Sequence, residues 1–295
     1  MERHHNIIKQ LISILLIIFL IGCSSDTNNT DTDNGDNNNN QNTDTGDKTI
    51  ESLNIGDKVV DPNWTWEFRR GYGYTVYADN EQTAPVVWVV VAKNHYMADS
   101  VTLIAENLIG FYFYDTTLME GMLAGHNHWG NGGLNGATGL RPWLNSTDQH
   151  TSDGFYNAFS SDFKGIVLAT SIENINEEGL PYTSTDNVFI PSHTELGLTD
   201  HTNTYEIGSS YEYFVGADYM KLRSKIFGDS WEEEYWTRSP YVDGYRVVGM
   251  ISDSGLYVNT FADFDNVGVR PVVNISINTK VSNDMNENGV YEIMY

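Results

Sequence analysis

The sequence predicts an α+β fold, a single domain over residues 49–295 with a mainly antiparallel sheet and short helices. Three observations lead there. Apolar, β-branched runs that read as strands lie towards both ends of this region, in residues 85–105 and 235–277, while helical patterns fall between them. Turn signals at Ser254-Gly255 and Asn288-Gly289 join neighbouring strand patterns closely enough for antiparallel pairing. No second linker interrupts the chain after Thr49, and a whole-chain hydrophobic content of 40%, with 7 Trp, 18 Tyr and 12 Phe, is ample for one core.

The elements follow in order. Gly56 turns the chain between Ile55 and Asp57, and Trp64 and Trp66 alternate onto one face of an extended segment. Pro85 opens Val86-Val87-Trp88-Val89-Val90-Val91, a continuous apolar strand expected to be covered on both faces. A second strand over residues 101–105 pairs with it as a hairpin through the polar residues 93–100, which include His95. Residues 121–139 are rich in Gly and Asn and read as a long loop, where binding residues concentrate. A short helix or turn starts at Leu140. Asp153 is placed to cap a helix with Phe155, Tyr156 and Phe159 on one side. Residues 166–172 and 188–191 read as strands, and Ser192 with Glu195 forms a capping box. Residues 217–227 read as a helix with Met220 and Ile226 among its apolar positions. The last strands end in residues 290–295, and the amino- and carboxyl-terminal strands are expected to pair.

Ahead of the domain, Arg3 and Lys9 precede an apolar run from Leu11 to Ile21 broken only by Ser13, in the outline of a signal peptide. The run is about eleven residues, short of the roughly 20 that cross a hydrocarbon core. Leu20-Ile21-Gly22-Cys23 resembles the lipobox of bacterial lipoproteins, in which the signal is removed before a cysteine that is then lipidated. The organisation that follows is a signal peptide at residues 1–22, an anchor cysteine with an Asn/Asp/Thr-rich tether at residues 23–48, and the domain. The tether has no aliphatic or aromatic residue after Cys23, cannot collapse, and holds the domain about 25 to 30 Å from the lipid. The expected location is the extracytoplasmic face of the cell membrane, with the membrane as partner through Cys23.

Composition narrows the partners. Forty acidic against 16 basic side chains leave a formal charge of −24, which repels nucleic acid phosphate, so no nucleic acid is expected. Removing residues 1–22 takes away two basic residues and one acidic residue, so the charge falls by one more. Cys23 is the only cysteine, which rules out an intrachain disulfide and a cysteine-rich zinc site.

Four ordered motifs carry a resemblance: GLRPWLN at residues 139–145, DNVFIPSHTELG at residues 186–197, YWTRSP at residues 235–240 and GVRPVV at residues 268–273. Together they resemble a bacterial domain family of unknown function that covers nearly all of residues 49–295. The WxRSP…GVRP ending is also similar to the close of C-type-lectin-like folds, including the formylglycine-generating and bacteroidal surface-protein branches; this likeness bears on fold alone. Formylglycine generation needs site cysteines, and the one cysteine here is committed to the anchor. The Glu-Pro-Asn or Gln-Pro-Asp motif of calcium-dependent animal lectins is absent.

The candidate site residues are weighed against simpler roles. Arg141, Arg238 and Arg270 lie among apolar neighbours, where an ion pair or a set of backbone carbonyls is the default and a fork for a ligand carboxylate or phosphate is the alternative. His126 and His128 form a His-x-His pair that His150, His193 or His201 would have to complete; two ligands are not a site, and no metal is expected. Asp284-x-Asn286-x-Asn288-Gly289 imitates a calcium loop but places Tyr295 at the twelfth position, so a plain turn is preferred. Trp64, Trp66, Trp129 and Trp143 read as core or as a sugar-stacking platform. Trp129, inside the polar loop beside Asn131, is the leading candidate for ligand contact. No hydrolase or Walker signature is present, and no cofactor is expected. The expected function is non-catalytic binding of a glycan or peptide at the surface; the alternatives are an enzyme acting on cell-wall or extracellular polymer and an adhesion or scaffold module.

Overall fold

A run of valines around Trp88 has no polar face to offer water, and it becomes a strand with protein on both sides. The computed structural model describes residues 47–68, 71–72, 75–76, 82–115, 118–119, 122–123, 129, 139–145, 154–176, 179–199, 204–216, 218–228, 231–242, 244 and 246–295. They belong to one unit, Thr45–Tyr295. The strands used below are β1 (Lys58–Val60), β2 (Trp66–Phe68), β3 (Gln82–Ala84), β4 (Val87–Lys93), β5 (Ser100–Ala105), β6 (Thr170–Ile175), β7 (Pro181–Asp186), β8 (Val188–Phe189), β9 (Tyr235–Pro240), β10 (Val247–Ile251), β11 (Tyr257–Phe261), β12 (Val272–Ser276), β13 (Lys280–Val281) and β14 (Tyr291–Met294). The helices are α1 (Leu140–Leu144), α2 (Phe155–Ala158), α3 (Ser161–Ile166) and α4 (Tyr219–Leu222). Sheet with a few short helices is the α+β class that the patterning predicts. Among the described residues, no helix is long and apolar enough to cross a membrane.

The principal sheet has seven strands in the order β8-β12-β5-β4-β1-β14-β13. Every pairing in it is antiparallel except β1 with β14, which run parallel with Val59 opposite Tyr291. The first and last strands of the domain therefore meet. Between Val90 and Ala92 the register of β4 against β5 shifts by one residue, a bulge that increases local twist. Val89, Val90 and Val91 are all buried, and burying each side chain contributes about 1.5–3 kcal/mol before conformational entropy is set against it.

A second sheet, β9-β10-β11, is fastened to the first through Gly268. Trp236 N donates to Gly268 O at 3.0 Å and Gly268 N donates to Glu234 O at 2.8 Å. A Cβ at this glycine would lie 2.4 Å from Leu108 Cδ1 and 2.8 Å from Glu234 O, so only glycine permits the approach. The β6/β7 hairpin docks through a buried polar chain: Thr102 Oγ1 donates to Asn274 Oδ1 at 2.7 Å, and Asn274 Nδ2 donates to Thr170 Oγ1 at 3.0 Å.

The tryptophans serve the core. Trp64 lies 4.9 Å from Phe159 and Trp66 4.9 Å from Phe155, both edge-on, and Trp143 stacks on Tyr112 at 4.8 Å. Such pairs add about 0.5–1.5 kcal/mol each beyond area burial.

Three expected elements differ. Of the strand expected over residues 166–172, Ile166 belongs to the helix α3 and the strand starts only at Thr170, because Ser160 Oγ accepts from Phe163 N at 3.0 Å and caps α3. The expected helix over residues 217–227 shrinks to the four residues of α4. Within α4 only Leu222 is buried while Met220 is 65% exposed; beyond it Ser224–Lys225 pairs with Glu232–Glu233, and the buried Ile226 bridges to Leu108 in extended chain. The strand pairing of residues 224–226 takes the backbone hydrogen bonds that a longer helix would need. At α2 the cap position is Gly154, without a side-chain cap bond, and Asp153 lies outside the described residues.

Candidate functional site

Ser192 and Glu195 form the reciprocal bonds of a capping box, with Glu195 N donating to Ser192 Oγ at 3.1 Å and Ser192 N to Glu195 Oε2 at 2.9 Å. The residues that follow bend into a turn rather than a helix. The consequence is positional: the Glu195 carboxylate is turned inward and fixed. Strand β9 brings Arg238 to meet it, with Arg238 N donating to Pro191 O at 3.0 Å. The two guanidinium nitrogens Nη1 and Nη2 donate to the two carboxylate oxygens as a fork, and both side chains are 0% exposed.

Two tyrosines complete the shell. Tyr96 Oη donates to Glu195 Oε1 at 2.6 Å, Tyr211 Oη donates to Glu195 Oε2 at 3.0 Å, and the two hydroxyls stand 2.6 Å apart. Two hydroxyl protons serve three contacts, so this is a shared network rather than isolated bonds. Arg238 Nη1 also reaches Ile190 O at 3.2 Å. The strap of residues 207–211 is tied over the turn by Ser192 Oγ to Ile207 O at 2.7 Å, Ile207 N to Thr194 Oγ1 at 3.1 Å and Ser210 Oγ to Thr194 O at 2.9 Å. Gly208 has φ +76°, and a Cβ there would stand 2.9 Å from Glu195 Oε1. This glycine lets the strap lie against the carboxylate.

Above this floor opens a pocket of about 370 Å³ lined by His95, Tyr96, Ser171, Glu173, Glu195, Gly208, Ser209 and Arg238. Its electrostatics follow from burial and pairing. Burial by itself would raise the Glu195 pKa, but the charge of Arg238 and the bonds from Arg238, Tyr96 and Ser192 outweigh it and hold the carboxyl below its ordinary range. Burial, then the Glu195 charge, push Tyr96 and Tyr211 well up, so both remain donors. His95 is lowered, chiefly by burial, with Glu195 pulling upward and Arg238 downward. Its ring lies 4.6 Å from Tyr96 and 4.8 Å from Tyr211, edge-on to both.

Of the described residues expected from sequence as site candidates, Arg238 alone lines this pocket. Arg270 is buried and donates from Nε to Ala105 O at 2.9 Å and from Nη1 to Leu222 O at 3.3 Å, a carbonyl cluster of the kind expected by default. Arg141 Nε pairs with Asp186 Oδ1 at 2.7 Å. Trp129 corrects the expectation of an exposed stacking residue. It is 1% exposed, donates from Nε1 to Asp186 Oδ2 at 3.0 Å and packs on Tyr114, because the buried Asp186 supplies the partner its indole N–H needs. Cys23, His126, His128 and Asn131 lie outside the described residues, as do His150 and His201. His193 is buried against Tyr257 at 4.2 Å. Among the described residues no group of three or more His, Cys, Asp or Glu is placed to hold a metal ion. Asn286 Oδ1 accepts from Asn288 N at 3.0 Å and Val290 N at 3.3 Å, so the calcium-like segment forms a plain turn.

A family model described as Domain of unknown function (DUF6273) matches residues 99–277, more than half of the chain. The chain belongs to the DUF6273 family. Comparison with curated proteins and with solved structures gives no significant match. The DUF6273 match includes Ser171, Glu173, Glu195, Gly208, Ser209 and Arg238, whereas His95 and Tyr96 precede it. Strands β1, β4, β13 and β14 also lie outside it, so four of the seven strands of the principal sheet are contributed by flanking sequence. Sequence reasoning on this DUF6273 chain missed most of the pocket. The one available signal was the Ser192-Glu195 capping box, which marked the acid as held but not as Arg238's partner.

Proposed function

We propose that the chain is a lipid-anchored, extracytoplasmic surface protein whose domain binds a glycan or peptide ligand without chemistry. The observation that carries the binding reading is that the acid and the cation at the pocket's floor are spent on each other. Glu195 accepts from Arg238, Tyr96, Tyr211 and Ser192 N, and a carboxylate with its lone pairs so occupied is a poor general base. The remaining lining offers hydroxyls, an imidazole, an aromatic face and the Glu173 carboxylate at the mouth, within a volume that suits a small ligand group. A glycan array probed with the full chain in non-ionic detergent tests this: binding of defined fragments without their turnover supports it, and cleavage of a bound fragment contradicts it.

The anchor rests on Leu20-Ile21-Gly22-Cys23 and on the polar tether behind it. Cys23→Ala should move the protein from the membrane fraction to the soluble fraction, and continued retention would remove the assignment. The C-type-lectin-like likeness is part of the same proposal. Its support is that the two motifs of the WxRSP…GVRP ending lie side by side, with the parallel bridge from Tyr235 to Gly268 joining them. An experimental structure superposed on that fold class tests it.

A protein partner is the second reading, favoured by exposed apolar side chains at Tyr219 and Met220 beside the Gly255 turn, where a Cβ would stand 2.4 Å from Tyr219 O. Met220→Glu would abolish partner capture under this reading and leave glycan binding untouched under the first.

A further inference from the structure

The alternation of β6 sorts its side chains cleanly. Thr170, Ile172 and Asn174 are buried, while Ser171 and Glu173 are exposed on the opposite face and line the pocket. Across the hairpin, Ser171 stands opposite Thr185 and Glu173 opposite Thr183, and both threonines are also exposed. The mouth of the pocket therefore continues into a strip of hydroxyls that contains a single charge.

Among the described residues that charge is uncompensated. Arg238 and Glu195 cancel as a forked pair on the floor. Tyr96 stays protonated and His95 is held towards its neutral form, chiefly by burial. Glu173 has no ion pair and no side-chain hydrogen bond among the described residues, although 16 basic side chains are present in the chain. A bound anion would meet the Glu173 carboxylate at the mouth and a protein of formal charge −24 around it. A ligand cation meets one unpaired carboxylate with neutral donors and acceptors on either side.

We infer that the pocket takes an amino sugar whose nitrogen is not acylated, with the ammonium group against Glu173 and the sugar hydroxyls against Ser171, Ser209 and His95. This deepens the glycan-binding reading and rests on it. Selectivity follows from charge: the free amine is preferred over the acetylated amide, and a uronic acid is disfavoured. Because Glu173 is solvent-exposed, the preference is modest, about three- to fivefold, as for an exposed ion pair.

Calorimetric titration of the full chain in non-ionic detergent, at slightly acidic pH and physiological salt, tests it with short glucosamine, N-acetylglucosamine and galacturonic acid oligomers. The glucosamine oligomer should bind about three- to fivefold more tightly than the acetylated one, and Glu173→Gln should erase that difference. Ser209→Trp, which fills the pocket without changing charge, should abolish binding of both; Ser171→Trp serves the same purpose should the first variant fail to fold. Retention of glucosamine binding in a folded, filled variant would mean attraction to the acidic surface at large and would overturn the inference. Equal affinity for the amine and the amide, unchanged by Glu173→Gln, would overturn it while leaving glycan binding intact. Absence of binding by all three oligomers would remove the glycan reading and this inference with it.

Discussion

Replacing Glu195 with Gln leaves the Arg238 guanidinium buried at 0% exposure without its counter-charge. The neutral amide keeps one carbonyl oxygen for Tyr96, Tyr211, Ser192 N and the arginine fork, which together use both carboxylate oxygens now. Breaking a buried pair by removing one partner costs about 3–5 kcal/mol, a large share of the roughly 5–15 kcal/mol that holds a domain together. Urea unfolding at neutral pH, followed by tryptophan fluorescence, measures it. The double variant Glu195→Gln with Arg238→Met removes the stranded charge, and the pair should then show a coupling of about 1–3 kcal/mol. The pH dependence has a definite sign. Glu195 is lowered in the folded state, so its stabilising contribution is complete above the ordinary carboxylate range and is lost as pH falls through its lowered value. Wild-type protein should lose stability on acidification, and Glu195→Gln should lack that part of the slope. A loss below about 1 kcal/mol at neutral pH, with the acid slope unchanged, would refute the reasoning.

Two further predictions follow from the same packing. Trp129→Ala should cost about 3–5 kcal/mol as a buried aromatic truncation, while Trp129→Phe, which mainly removes the donor to Asp186, should cost about 1–3 kcal/mol; thermal unfolding decides, and an unchanged midpoint in both would return Trp129 to the surface. His95 is lowered in the fold, so it contributes stability that is present above the ordinary imidazole value and lost as pH falls through its lowered one. Its imidazole proton resonance, assigned with His95→Gln, should titrate at lower pH than an exposed histidine; titration at the ordinary value would place the ring in water.

How much was legible depends on how local each feature is. The hairpin of β4 and β5 could be read because its signal is contiguous: an apolar run, a polar connection and a second apolar run. Pairing of the terminal strands followed from elements at both ends of one domain, although the parallel sense of β1 with β14 had no local mark. The capping box at Ser192 was read correctly as a hydrogen-bonding pattern, yet its turn does not continue as a helix, because Gly197 at φ +76° turns the chain out of the helical path. The strand boundary near Ile166 was missed because the Ser160 cap and the one-turn spacing of Phe159 and Phe163 were outweighed by β-branched residues around them. Trp129 misled for a physical reason: a polar, glycine-rich loop does suggest exposure, but a single buried carboxylate at Asp186 reverses that. The pocket was least legible. Its lining comes from residues 95–96, 171, 173, 195, 208–209 and 238, assembled by long-range pairing, and nothing in the sequence selects Glu195 from 40 acidic residues as the partner of Arg238.

The central claim is that ligand binds over the Arg238–Glu195 floor beside His95. Following the His95 imidazole resonance while glycan fragments are added to the full chain tests this directly. The account predicts a saturable shift of that resonance in step with binding measured calorimetrically, and its loss in Ser209→Trp. Binding that saturates while the His95 resonance stays fixed would contradict it.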